Sequence, residues 1–191
     1  GVRLVGSEMC IRDSYQSEEG TVLLNNQDIT SILDSDKYSS INALLQSQQL
    51  FDGTVRDNLF TDQEDAVIED VFDTLGLSHI DLDRHITLSG NTLSGGEIQR
   101  VGIARLLLKE APIWVIDEPT TALDIYHTNL VMDEIHKQSQ TLIVATHDLR
   151  LLPKFDKIVV MVDGEIIEYG DYQSLLSNKG YLYQMVMLNQ E

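Results

Sequence analysis

Two short, unbroken apolar runs restrict the fold more than any other feature. They are residues 113–116 (Ile-Trp-Val-Ile) and 142–145 (Leu-Ile-Val-Ala), separated by a helix-length stretch at 125–138. Apolar runs of this length without alternation are strands covered on both faces, the habit of parallel sheets. Two such strands joined through a helix form a βαβ unit with parallel strands. The chain is therefore expected to be α/β, a mostly parallel sheet with flanking helices.

Around that unit the pattern is readable from Glu19 onward. Residues 41–45 form another apolar run, and 46–58 read as loop. In 64–75 the apolar positions Val67, Ile68, Val71, Phe72 and Leu75 make one helical stripe, closed by Gly76 as a C′ residue. Residues 97–109 are a second helix, and 78–92 are polar and irregular. Asn25-Asn26 and Asp163-Gly164 are turn signals; the second joins runs 158–162 and 165–169 into a hairpin. Short helices are expected near 172–176 and 181–188. Residues 1–14 have no period.

Charge and composition exclude several classes. With 31 acidic and 13 basic residues the net charge is −18, opposed to nucleic-acid binding and to adhesion on anionic lipid. A local phosphate site built from backbone N–H groups is still compatible with that charge. One cysteine, Cys10, cannot form an internal disulfide. No apolar run has the length to cross a bilayer, and residues 1–14 contain no secretory h-region.

Three motifs carry chemistry. Asp117-Glu118 directly follows the first apolar run, where open parallel sheets place their ligands, and carboxylates there suit Mg²⁺ and water. Alone, the pair reads first as acids leaving a strand and capping the next turn. His147 stands just past the second run, so Glu118 and His147 emerge at one sheet edge if the strands are neighbours. Leu93-Ser94-Gly95-Gly96-Glu97 opens a helix. Ser94 and Glu97 form a capping box, but capping does not explain two glycines, each costing about 1 kcal/mol in a helix. Paired glycines let a backbone approach a ligand, and the helix start favours phosphate.

These residues, followed by Ile98-Gln99-Arg100-Val101-Gly102-Ile103-Ala104-Arg105, then Asp117-Glu118-Pro119, Thr121-Ala122-Leu123-Asp124 and Thr146-His147, resemble the nucleotide-binding domain of ABC transporters. Gln46, followed by Leu50-Phe51 through Arg56-Asp57-Asn58-Leu59, resembles that family's glutamine loop in its exporter branch. The resemblance spans about residues 18–189. Within the branch, the glutamine loop and the 158–170 tail are most similar to exporters with two separate halves, such as the C-subunit type of the thiol-reductant exporter of cytochrome bd assembly.

The resemblance implies a P-loop NTPase-like sheet with an inserted helical subdomain at about 57–93. It implies ATP and Mg²⁺ as ligands. Asp117 would hold Mg²⁺, Glu118 would polarise the attacking water, and His147 would touch the γ-phosphate. Gln46 would sense Mg²⁺ and couple to the membrane half. Asp124 would face the other subunit, and Ser94, Gly95 and Gly96 would reach the partner's γ-phosphate. It implies a second nucleotide-binding domain, a heterodimer more than a homodimer, and a transmembrane domain, at the cytoplasmic face of a bacterial inner membrane. The cargo it suggests is a thiol such as cysteine or glutathione. Two other readings use the same motifs: a soluble ABC-family ATPase, opposed by the exporter-like 50–59 segment, and a non-catalytic regulatory cassette, opposed by intact Glu118 and His147.

The sequence contains no G-x-x-x-x-G-K-[ST]. In the family that loop precedes the Gly20-Thr21-Val22 run, which places its Lys within the first few residues. The expectation is an N-terminally truncated domain, residues 15–191, its first strands and P-loop missing. Residues 1–14 resemble translated adapter sequence, which would make Cys10 non-native; natural decay and a rewritten loop are the alternatives. Alone, such a chain is expected to bind ATP weakly and to hydrolyse none above a Glu118→Gln control.

Overall fold

A computed structural model of the chain describes residues 20–46, 48–87, 93–120 and 123–189. The chain divides into two compact units, with the boundary between Ala145 and Thr146.

In the first unit, β1 (Leu23–Leu24) and β2 (Gln27–Asp28) form a minimal hairpin. Its turn residues Asn25 and Asn26 take φ of +50° and +65°, the left-handed pair that asparagine tolerates. Helix α1 (Asp34–Ser40) leads into β3 (Ile41–Leu44). β4 (Gly53–Thr54) pairs antiparallel with β5 (His85–Ile86), and α2 (Asp65–Thr74) lies between them in sequence. Among the described residues α2 is the one α-helix between these two strands. Gly76 has φ +65°, as expected of a C′ residue. Then follow α3 (Gly95–Leu107), β6 (Ile113–Asp117), α4 (Ile125–Gln138) and β7 (Thr141–Ala145).

The sheet order is β3-β6-β7, all parallel, with Leu44 opposite Ile116 and Asp117 opposite Ala145. β6 is central, and Trp114, Val115 and Ile116 are buried. Each such side chain contributes roughly 1.5–3 kcal/mol. α3 packs on β3, α2 and α4. Among the described residues β7 has no second neighbour strand, and its Ile143 is 45% exposed.

The second unit carries the expected hairpin, β8 (Ile158–Val162) and β9 (Glu165–Gly170), turning at Asp163 (φ +49°) and Gly164 (φ +87°). α5 (Tyr172–Ser177) and α6 (Tyr181–Leu188) pack on it through Ile158, Val160, Leu175, Leu182 and Val186. Glu168 of β9 accepts the N–H groups of Tyr181 (2.8 Å) and Leu182 (2.9 Å), capping α6. No described helix is long and apolar enough to cross a membrane.

Candidate functional site

The first predicted acid ends β6. Asp117 is 7% exposed. Burial, and secondly the adjacent Glu118, push its carboxyl pKa up from the ordinary value. Such a carboxyl is a poor isolated anion, and a hard cation would relieve both penalties. The Glu118 N–H donates to the Ala145 carbonyl at 2.9 Å, adding a rung to the ladder. Its φ of +51° is a left-handed backbone that costs a non-glycine residue about 1–3 kcal/mol. The next helix, α4, is capped by Asp124 instead, so capping does not account for the acid pair.

Because the three strands are parallel and in register, Gln46 (two residues past Leu44) and Asp117-Glu118 leave the sheet at its carboxyl rim. β7 ends there with Ala145. His147 follows two residues along the chain, in the second unit, and is exposed. Its neighbour Asp148 accepts from Arg150 at 2.6 and 2.8 Å; Arg150, with a smaller effect of His147, holds that carboxyl below its usual range.

Two carboxylates and one amide are too few for an all-protein cation cage, and the described residues gather no group of three or more His, Cys, Asp or Glu. That donor set fits Mg²⁺, which keeps waters and takes phosphate oxygens as further ligands.

The Ser94 tip lies at the start of α3. Asn42 of β3 donates to Leu106 O at 2.7 Å, and Gly102 approaches Gln48 so closely that a Cβ would meet its Cγ at 2.3 Å. The helix therefore runs against the strand, its N-terminus pointing the way the strands point. It continues eight residues past Gly102 to Ser94, about 12 Å at 1.5 Å per residue. The capping box is formed: Ser94 Oγ accepts Glu97 N–H at 3.3 Å and Glu97 Oε2 accepts Ser94 N–H at 2.7 Å. Ser94 and Gly95 are exposed, and a Cβ on Gly95 would meet nothing within 4 Å. Among the described residues no contact requires glycine there. Asp124 is exposed and accepts from His127 N–H at 2.9 Å and from Nδ1 at 2.8 Å. His127 in turn abuts Gly76, where a Cβ would stand 2.9 Å from its Nε2.

Sequence reasoning missed the residues that shape this surface. Asn58, fully buried, donates to Phe51 O (3.0 Å) and Thr54 O (2.9 Å) and accepts Phe51 N–H (2.9 Å). Arg105 donates to Asn58 O and to Gln49 O (3.0 Å) and lies over the Phe60 ring at 5.1 Å. The one available signal was an arginine among the apolar positions of α3. His79 reaches Glu97 across 18 residues (2.8 Å), with no pattern to announce it.

A family model for the ABC transporter matches residues 8–121. The chain is 33% identical over 180 residues to the glutathione/L-cysteine transport system ATP-binding/permease protein CydC of Escherichia coli (strain K12), covering 90% of this chain and 31% of the relative. It is 32% identical over 184 residues to the β-(1→2)glucan export ATP-binding/permease protein NdvA of Rhodopseudomonas palustris (strain BisA53), covering 90% and 30%. It is 34% identical over 178 residues to the ATP-dependent lipid A-core flippase of Xanthomonas oryzae pv. oryzae (strain MAFF 311018), covering 87% and 30%. The structure of a bacterial Atm1-family ABC exporter with ATP bound superposes with a TM-score of 0.88 at 24% identity, covering 98% of this chain and 35% of that one. The chain thus spans about 30% of the length of these three curated relatives.

Proposed function

The chain belongs to the ABC transporter family, and from that premise we propose that it is the ATP-binding part of an exporter, working as one of two cassettes that share nucleotide at their interface. The observation that carries this reading is the parallel register of β3, β6 and β7. It gathers Gln46, Asp117 and Glu118 at one rim, while the Ser94-Gly95 tip stands exposed beyond the sheet. A terminal phosphate gripped between such a rim and a second cassette's tip meets a general base, a cation site and a helix N-terminus. ATP then holds the two cassettes together, and its hydrolysis releases them.

In this proposal Glu118 takes the proton of the attacking water, and its strained backbone fixes where the carboxylate stands. Asp117 and Gln46 are the groups that would hold Mg²⁺, which when bound neutralises phosphate charge. His147 donates to the γ-phosphate, and Asp124, tethered by His127, lines the face toward the partner. Phosphoryl transfer asks for positioning and charge neutralisation, which these groups supply. Residues 57–93 would be the helical subdomain of this cassette.

Relatives named as permease, glucan exporter and flippase support an attached or associated transmembrane domain and a place at the cytoplasmic face of the membrane. They favour this reading over a soluble ATPase. The glutathione/L-cysteine transport named for the CydC protein supports a thiol cargo such as cysteine or glutathione, and the second cassette in this proposal is a separate, different chain. Phosphate release by the assembled exporter tests the core of the proposal. Glu118→Gln should lower turnover at least 100-fold while ATP still drives cassette pairing; unchanged turnover would refute it.

A further inference from the structure

The exposed tip of α3 carries a negative charge where an anion is to be received. Both oxygens of Glu97 are engaged. Oε2 accepts the Ser94 N–H and the Ser94 hydroxyl, each at 2.7 Å. Oε1 pairs with His79 Nε2 at 2.8 Å. In this arrangement the Ser94 proton is turned inward, toward Glu97. A phosphate arriving at the tip has to take that proton and approach a carboxylate, and like charges in a shared site oppose each other.

His79 stands in the connection after α2. Its side chain is 58% exposed while that of Glu97 is 18% exposed. The capping box is complete without it, since Ser94 and Glu97 satisfy one another. An exposed ring adds little packing. What His79 adds is a hydrogen bond to the carboxylate and, when protonated, a positive charge beside it. Hydrogen bonding from His79 is the largest of the influences that hold the Glu97 carboxyl at about 2.

We infer that His79 is a positioning residue for nucleotide binding. By engaging Glu97 Oε1, on the side away from Ser94, it draws on the carboxylate's charge and weakens its hold on the Ser94 hydroxyl, which lies on Oε2 here and would turn to donate to the terminal phosphate of a nucleoside triphosphate held by a second cassette. This rests on the shared-site reading above. It makes His79 and Glu97 a matched pair: the acid is tolerable at the tip because the imidazole is there.

The test is a double-variant cycle in the assembled exporter, reading KM for ATP and kcat separately. His79→Ala should raise KM about tenfold with kcat within about twofold, since the chemistry at Glu118 is untouched. His79→Arg, which can engage the same carboxylate, should restore KM. In the Glu97→Gln background, His79→Ala should have no effect, because no charge is left to offset. If His79 only staples α3 to the preceding connection, His79→Ala lowers the melting temperature, leaves KM unchanged and does so equally with Glu97 or its Gln variant; that result overturns the inference. Ser94→Arg separates the two layers. Hydrolysis surviving Ser94→Arg defeats the shared-site reading itself. Hydrolysis lost in Ser94→Arg, with KM unmoved in His79→Ala, defeats the role of His79 alone.

Discussion

Replacing Asn58 with Leu keeps nearly the same volume and deletes every hydrogen bond of that side chain. Three good bonds are lost: two donated to the carbonyls of Phe51 and Thr54 at 3.0 and 2.9 Å, and one accepted from Phe51 N–H at 2.9 Å. A net contribution of about 1 kcal/mol per bond gives about 3 kcal/mol. Orphaned backbone groups add to this, but Phe51 is exposed, so water re-solvates part of that set. The expected loss is about 3–4 kcal/mol, a large share of the roughly 5–15 kcal/mol that holds a typical domain. Asn58→Asp should also destabilise. It keeps the acceptor for Phe51 N–H and for Arg105 Nη2 (3.4 Å) but sets its other, buried oxygen against two carbonyls. Urea unfolding measures the total. Amide exchange at Phe51 locates it and does not depend on the two units melting together. A Leu variant within 1 kcal/mol of wild type, with Phe51 exchange unchanged, would show that Asn58 does not organise the 46–58 loop.

Three further outcomes follow from the same geometry. The Glu97 carboxyl lies at about 2, below its ordinary 4.5, so the stabilisation it provides is full above pH 4.5 and is lost as pH falls toward 2. Because His79 is mostly exposed, about 1–2 kcal/mol is expected rather than the full linkage value; unfolding between pH 5 and 2 should be flatter in Glu97→Gln. Ile143→Lys, on β7, which has one neighbour strand among the described residues, and 45% exposed, should reduce aggregation measured by light scattering while moving stability by less than about 0.5 kcal/mol. Gly180→Ala would put a Cβ 1.7 Å from Glu168 Oε1, forcing that carboxylate off Tyr181 and Leu182. A loss of about 1–2 kcal/mol in the second unit is expected, and no added loss when Glu168→Ala is already present.

What could be read without coordinates was whatever repeats or punctuates. β6 showed as an apolar run and proved one residue longer, because Asp117 stays in the ladder opposite Ala145. The stripe in 64–75 became Asp65–Thr74, and the asparagine and Asp-Gly turns fell where expected. Helix α3 begins earlier than the 97–109 reading because its capping box starts it at Gly95. Helix α1, Asp34–Ser40, was invisible: seven mostly polar residues have no stripe, and its one buried residue is Lys37. β4 and β5 are too short for any period. In the site, strand-end acids and the glycine pair were legible because they interrupt a pattern. The left-handed turn of Glu118, the Asn58 hub and the His79–Glu97 pair were not, since each depends on partners that only folding brings near.

Helix α3 is fastened at both extremities. Arg105 grips the loop through Asn58 O and Gln49 O, and eleven residues away, about 16 Å along the axis, Glu97 and His79 brace Ser94. The helix that joins them, thirteen residues in all, has no proline. Gly102 is its one glycine beyond the first turn, and it lies against Gln48, so an axial shift of the loop at one extremity would be carried along the helix to the serine at the other.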